Sequence, residues 1–296
     1  MSRLLVIDGH AYAYRAFHAI RELRSPSGQP TNAIYGFIKM LAKLRTKLSP
    51  SHLIVIWDGG LSAERMASLP AYKAQRPEMP SDLATQIDEI IHYLEAAGVA
   101  SYCKEGVEAD DYIACVARHA VAADLHVVIA SSDKDFMQLV SPDIGLMNPN
   151  DKTETIWAEE QVRGKTGVAP EQIVDWLALV GDSVDNIPGV PGVGPKTATD
   201  LLNQFGSVDT LYRRLNEVKS DRLRTALSSS AADVRRNQQL VRLREDLPCE
   251  FSTTELMGRA PNQERLAALY RQWGFRTLLA ETEASLGHTR QQEALL

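Results

Sequence analysis

The chain has 296 residues, 44% hydrophobic and 24% charged, which is enough for a large buried core with a smaller domain appended. No apolar run approaches the ~18 residues of a membrane span, and the opening "MSRLLVIDGH" reads as a strand, too short in apolar residues for a signal peptide. The three cysteines (Cys103, Cys115, Cys249) are odd in number and away from metal-ligand spacing, which fits a reducing cytoplasm, while the formal charge of −6 weighs lightly against a nucleic-acid partner.

In chain order, "RLLVID" (3–8), "HLIVIWD" (52–58), "HVVIASSD" (126–133) and "IGLM" (144–147) are short aliphatic runs that predict buried parallel strands. Helical spacing predicts helices over 32–48, 82–97 and 109–122. Alternation of the two implies right-handed crossovers and an α/β sheet. The stretch "RMASLPAYKAQRPEMP" (65–80) holds three prolines and three basic residues and predicts a partly irregular excursion. From 170 onward strand signals vanish and helices dominate to about 281; the polar 282–296 reads as a loosely held tail.

Three of the predicted strands end in an acid: Asp8, Asp58 and Asp133. Carboxyl ends of parallel strands share one edge, where ligands bind. Asp135 follows Asp133, the group Glu108, Asp110 and Asp111 opens a helix, and Asp182 and Asp185 close another apolar helical segment. Any one of these is more often a cap or turn former. Nine carboxylates in one region is a different matter, because like charges about 4 Å apart repel by roughly 1 kcal/mol even in water. Either several stay protonated or cations neutralise them. Oxygen-only ligands favour hard ions, Mg²⁺ or Mn²⁺, and nine acids exceed one octahedral site, so two or more ions are expected. Such a pair activates water and steadies a leaving oxygen in phosphodiester cleavage. No histidine on this edge reads as a general base, and no zinc spacing, Walker loop or GxSxG elbow occurs.

The second informative stretch is "NIPGVPGVGPKTATDLLNQFG" (186–206). Gly189, Gly192 and Gly194 predict a tight turn with free backbone N–H groups, and Lys196 and Thr197 fall in the first turn of the next helix. Such a helix start binds phosphate without reading bases. In "AYKAQRP" (71–77), Lys73 and Arg76 lie three apart beside Tyr72 and suit a phosphate clamp over the metals. Setting the nine acids aside leaves a mildly basic chain, so the net charge no longer counts against nucleic acid.

Together "VIDGHAYAYRAFHA", "VIWDGGLSAER", "YKAQRPEMP", "GVEADDYIA", "SSDKDFMQLV" and "GDSVDNIPGVPGVGPKTA" resemble the bacterial 5′-nuclease (flap endonuclease) family, especially the N-terminal 5′–3′ exonuclease domain of DNA polymerase I. The resemblance runs from about residue 3 to 279. It implies a PIN-like, mostly parallel twisted sheet with helices on both faces (1–168, with a basic arch near 62–82). An all-α helix-three-turn-helix domain would follow (169–281), and then the tail. It implies a first metal held by Asp8, Asp58, Glu108 and Asp110, and a second, or its water shell, held by Asp111, Asp133, Asp135, Asp182 and Asp185, with K⁺ at the hairpin. It places Lys73 and Arg76 in the gateway for a 5′ strand with Arg65 just before it, and Tyr12 and Arg15 at the flap junction. Trp57, Glu64 and Pro195 depart from the family pattern without removing a ligand.

The expected activity is a structure-specific, two-metal 5′–3′ exonuclease and flap endonuclease. Its substrate would be DNA with 5′ flaps, nicks, gaps or free 5′ ends, in Okazaki-fragment processing and repair. It would be a cytoplasmic, nucleoid-associated monomer working beside a DNA polymerase and ligase. A non-catalytic junction binder and a related RNA nuclease stand as alternatives.

Overall fold

The computed structural model describes residues 2–151, 153–249 and 251–293. Five strands, β1 (Arg3–Asp8), β2 (His52–Trp57), β3 (Ala100–Cys103), β4 (His126–Ala130) and β5 (Ile144–Met147), form one sheet in the order β3-β2-β1-β4-β5. Every neighbouring pair is parallel. The chain therefore starts in the centre, steps outward through β2 and β3, and returns to the other flank of β1 with β4. That reversal makes the crevice between the carboxyl ends of β1 and β4 the switch point where ligands bind in such sheets. To the four aliphatic runs β3 adds a short strand, "ASYC", at one edge of the sheet.

The crossovers are α1 (Gly9–Ala19) and α2 (Asn32–Leu48), then α3 (Ala63–Ser68) and α4 (Ser81–Ala96), then α5 (Ala109–Ala122). Beyond the sheet come α6 (Glu159–Thr166), α7 (Ile173–Val180), α8 (Pro195–Phe205), α9 (Val208–Arg213), α10 (Asp221–Ser229), α11 (Ala231–Val241), α12 (Gln263–Trp273) and α13 (Arg276–Glu293). A short antiparallel ladder, β6 (Gly181–Asp182) with β7 (Ile187–Pro188), interrupts them after α7.

Strand alternation builds two cores. Leu4, Val6, Ile54, Ile56, Val127 and Ile129 face one side, where α5 covers them and the apolar residues of α7, α8 and α11 continue the same cluster. Leu5, Ile7, Leu53, Val55, Val128 and Ala130 face the other, against α1, α2 and α4. Each such side chain, fully buried, contributes roughly 1.5–3 kcal/mol.

The structure corrects the reading of the C-terminal region. Leu266, Tyr270 and Trp273 of α12, with Phe275, join the second core, so this stretch belongs to the sheet's covering layer and not to the helical half. Nor does the chain loosen at 282: α13 runs through that point, Thr282 is buried and Arg271 pairs with Glu283 at 2.7 Å. Polar composition hid a helix that holds its place by one apolar edge, Leu278 and Leu279. Among the described residues, no helix is long and apolar enough to cross a membrane.

Candidate metal centre

Asp8 ends β1 and caps α1, its Oδ1 accepting the Ala11 N–H at 3.0 Å. The ordinary reading of a strand-end aspartate as a helix cap is thus correct, but only half of it. Oδ2 accepts the buried Ser131 hydroxyl at 2.7 Å, and the Ser131 oxygen in turn accepts the Asp133 N–H at 3.1 Å. Ser131 therefore ties the ends of the two switch-point strands together. Burial pushes the Asp8 carboxyl up to about 6, against the Ala11 and Ser131 bonds that lower it and with help from the charges of Asp133 and Asp58.

The other acids crowd the same edge. Burial, then the charges of Asp133, Asp8 and Asp135, raise Asp110 well above the ordinary carboxylate range. Asp133, three residues past the end of β4, turns back to accept the Asp135 N–H at 2.9 Å and is raised by burial and by Asp185 and Asp182. Carboxylate oxygens of Asp135, Asp182 and Asp185 lie within 4.8 Å of one another. Asp135 Oδ1 is buried with no hydrogen-bond partner, an expensive state for a carboxylate oxygen. An all-oxygen cluster with an orphaned oxygen fits a hard divalent cation.

Asp182 and Asp185 reach the edge because of the β6–β7 ladder, in which Asp182 pairs with Ile187. The ladder depends on Gly181, at φ +80°, where an added Cβ would lie 2.6 Å from the Ile187 carbonyl oxygen. The hairpin at 189–194 follows directly and leads into α8, with Gly194 at its N-cap and Lys196 exposed in its first turn. Thr197 is half-buried, and the Trp176 indole donates to Thr199 at 3.1 Å, pinning the start of α8. Of the three hairpin glycines, Gly192 is exposed at φ +82°. Gly189 is packed at its α-carbon, where an added Cβ would lie 2.1 Å from the Val180 carbonyl oxygen.

The basic excursion is ordered and folded down onto the acids. It is a run of turns at 70–75, not a helix, with Lys73 in the left-handed region at φ 54°. The Lys73 N–H donates to the Asp185 carbonyl at 2.9 Å, and the Asn186 amide donates to the Ala71 carbonyl at 2.8 Å. Lys73 Nζ donates to Glu108 Oε2 and lies 3.8 Å from Asp185 Oδ2, while Arg76 pairs with Asp185 Oδ1 at 2.7 Å. The Tyr72 hydroxyl, expected at DNA, is buried and donates to Glu108 Oε2 at 3.1 Å. Glu108 also accepts the Ser62 N–H at 3.1 Å. Burial raises this carboxyl, but Lys73 and Arg65 outweigh it and hold it below the usual range.

Two expected roles do not match the geometry. Asp111 is turned away from the other acids, with both its oxygens on the Arg65 guanidinium at 2.7 Å. Arg65, expected beside the DNA gateway, is buried. Tyr12 is buried on α1, and Arg15, one turn on, donates to Asn150 and lines a small pocket with Lys43 and Lys47. Two residues escaped the sequence reading. Ser131 gave no signal beyond its place in "SSDKD". His10 does stand on the metal edge, where its Nδ1 accepts the Asp58 N–H at 3.1 Å and its ring meets Trp57 edge-on at 5.5 Å. Burial lowers its pKa, partly offset by Asp58.

The site is thus an acidic centre at the switch point of a parallel sheet, joined through a two-residue ladder to a glycine hairpin. Residues 3–167 match the family described as 5′-3′ exonuclease, N-terminal resolvase-like domain, and residues 168–264 match 5′-3′ exonuclease, C-terminal SAM fold. The chain belongs to the 5′-3′ exonuclease family. It is 38% identical over 283 residues to the 5′-3′ exonuclease of Aquifex aeolicus, covering 96% of each chain. It is 40% identical over 283 residues to DNA polymerase I of Pseudomonas aeruginosa, covering 93% of this chain but 31% of that one. The chain thus spans about a third of its polymerase relatives. In fold it resembles T5 5′-exonuclease with divalent metal ions (zinc) bound, at a TM-score of 0.68, 24% identity and coverage of 95% and 98%.

Proposed function

We propose that this protein hydrolyses DNA at 5′ ends and 5′-flap junctions, as a metal-dependent exonuclease and flap endonuclease. The observation that carries the reading is the buried cluster of Asp135, Asp182 and Asp185, with carboxylate oxygens within 4.8 Å of one another and Asp135 Oδ1 left without a hydrogen-bond partner. Asp133, Asp135, Asp182 and Asp185 would hold one divalent ion, and Asp8, Asp58, Glu108 and Asp110 another; Mg²⁺ or Mn²⁺ suits them. Ions so held supply an activated water and stabilise the leaving oxygen.

The chain's own residues do the rest. Lys73 pairs with Glu108 and Arg76 with Asp185. With those carboxylates engaged by a cation, both side chains would be free to face a phosphate and steady its charge. The hairpin and the first turn of α8, with Gly192, Gly194 and Lys196, grip the duplex backbone, with K⁺ as a structural ion there. Such contacts follow DNA shape over sequence. A monomer acting with a polymerase and ligase in Okazaki-fragment processing and repair is the setting this activity suits.

The test is a 5′-labelled DNA flap with enzyme in excess, in Mg²⁺ and again in EDTA, with product length read on a gel. A short labelled product only in Mg²⁺ is expected. Intact flap in both Mg²⁺ and Mn²⁺, with binding retained, overturns the reading. A matched RNA flap cut equally fast overturns the preference for DNA.

A further inference from the structure

We infer that Arg65 is a positioning residue that fixes Glu108 against the helical half of the molecule, and that it makes no contact with DNA. A guanidinium carries five N–H donors, and here all of them are engaged inside the protein. Nε donates to the Leu240 carbonyl at 2.9 Å. Nη1 donates to Asp111 Oδ2 at 2.7 Å and to Glu108 Oε1 at 3.1 Å. Nη2 donates to Asp111 Oδ1 at 2.7 Å and to the Arg242 carbonyl at 3.0 Å. No donor remains for a phosphate, and the side chain is 8% exposed.

The same geometry removes Asp111 from the metal ligands. Its two oxygens meet the guanidinium fork side by side, and Oδ1 also accepts the Arg244 N–H at 2.9 Å. Arg65 thus joins three segments distant in sequence: the excursion at α3, the start of α5, and the strand-like exit from α11. Burying such a pair gains little stability over apolar packing, but its fixed fork imposes one geometry. What that geometry fixes is the Glu108 carboxylate, held by Arg65 on one oxygen while Lys73 and Tyr72 occupy the other. This inference rests on the metal-nuclease reading above.

The experiment uses the full chain, with Arg65→Lys and Asp111→Asn as variants, each checked for folding by its melting temperature. Mn²⁺ affinity is measured by calorimetry, and nicked-duplex affinity is measured in Ca²⁺ across a salt series. Both variants are expected to bind Mn²⁺ about tenfold more weakly, the usual loss when the support of a ligand is removed. Duplex affinity and its salt slope should not change, and raised Mn²⁺ should recover part of the cleavage rate. A salt slope reduced by about one in Arg65→Lys, with Mn²⁺ affinity unchanged, assigns Arg65 to a phosphate and overturns the inference. So does abolition of Mn²⁺ binding in Asp111→Asn alone, which makes Asp111 a ligand. So does a fall in melting temperature with Mn²⁺ affinity untouched, which leaves only a structural role. Unaltered enzyme that binds no Mn²⁺ overturns the metal-nuclease reading itself, and this inference with it.

Discussion

Gly181 and Gly189 meet backbone to backbone: a Cβ on Gly181 would stand 2.4 Å from the Gly189 nitrogen, and one on Gly189 would stand 2.1 Å from the Val180 carbonyl oxygen. No larger residue fits either place without moving the chain. The contact clamps the loop bearing Asp182 and Asp185 to the hairpin that leads into α8. The clustered acids and the hairpin proposed to grip the duplex are therefore set by one joint.

Gly189→Ala should accordingly cost about 2 kcal/mol of stability or more and weaken both flap cleavage and duplex binding. Gly192→Ala is the control, since open space surrounds that position and only its φ of +82° opposes a side chain. There the cost should be about 1 kcal/mol. Urea unfolding of the two variants decides the matter, and equal costs would remove the special status of the 181–189 contact.

Asp133→Ala should slow flap cleavage about a thousandfold, roughly 4 kcal/mol of barrier, and leave duplex binding largely intact. Single-turnover rates beside a binding curve in Ca²⁺ would show it. Parallel loss of binding and rate would make Asp133 structural.

Lys73→Ala removes the buried cation from Glu108 and Asp185. In EDTA the variant should be less stable by about 2 kcal/mol, because Glu108 loses the buried cation on Oε2 and keeps Arg65 and Tyr72 as partners. Saturating Mg²⁺ should return most of that loss. Cleavage should fall more than binding; a full cleavage rate would take Lys73 out of the phosphate's reach.

The pH dependence of stability has a sign fixed by Asp8. Its carboxyl is raised from 3.8 to about 6 in the folded protein. The folded state therefore holds the proton more tightly than the unfolded state, and the stability this brings is present below about 4 and lost as pH rises to about 6 and beyond. In EDTA, Asp8 lowers stability across that window. Mg²⁺ at a hundred times its dissociation constant should add about 2.7 kcal/mol at pH 7.5 and clearly less at pH 5, where protons compete for the acids. An equal shift of the urea midpoint at both pH values would contradict this account.

Much of this was legible in the sequence for a physical reason. Parallel strands buried on both faces read as unbroken aliphatic runs, and their ends must share an edge, so Asp8, Asp58 and Asp133 could be brought together from spacing alone. What spacing does not carry is the direction a side chain takes. Asp110 and Asp111 are adjacent on one helix, about 100° apart in direction, so one carboxylate joins the centre and its neighbour faces Arg65. Arg65 and Lys73 read as cations at or beside a gateway for a DNA strand; their burial depends on acids 35 to 46 residues away. His10 and Ser131 were hidden by ordinariness, their partners lying across a strand junction no local pattern announces. The continuation of α13 past 281 was missed for the opposite reason, with polar residues on most of its circumference.

The sharing of one apolar cluster between the sheet and α7, α8 and α11, and the return of α12 to the sheet's far side, make the chain indivisible. A cut near residue 167 would bare the apolar face of α5 on one fragment and leave Ile173, Leu177 and Leu202 without cover on the other. The sheet fragment would also lose Leu266, Tyr270 and Trp273 from its second face. Two boundaries that look separable along the sequence thus enclose a single cooperative unit, one expected to unfold in one step and to resist being shared out between smaller proteins.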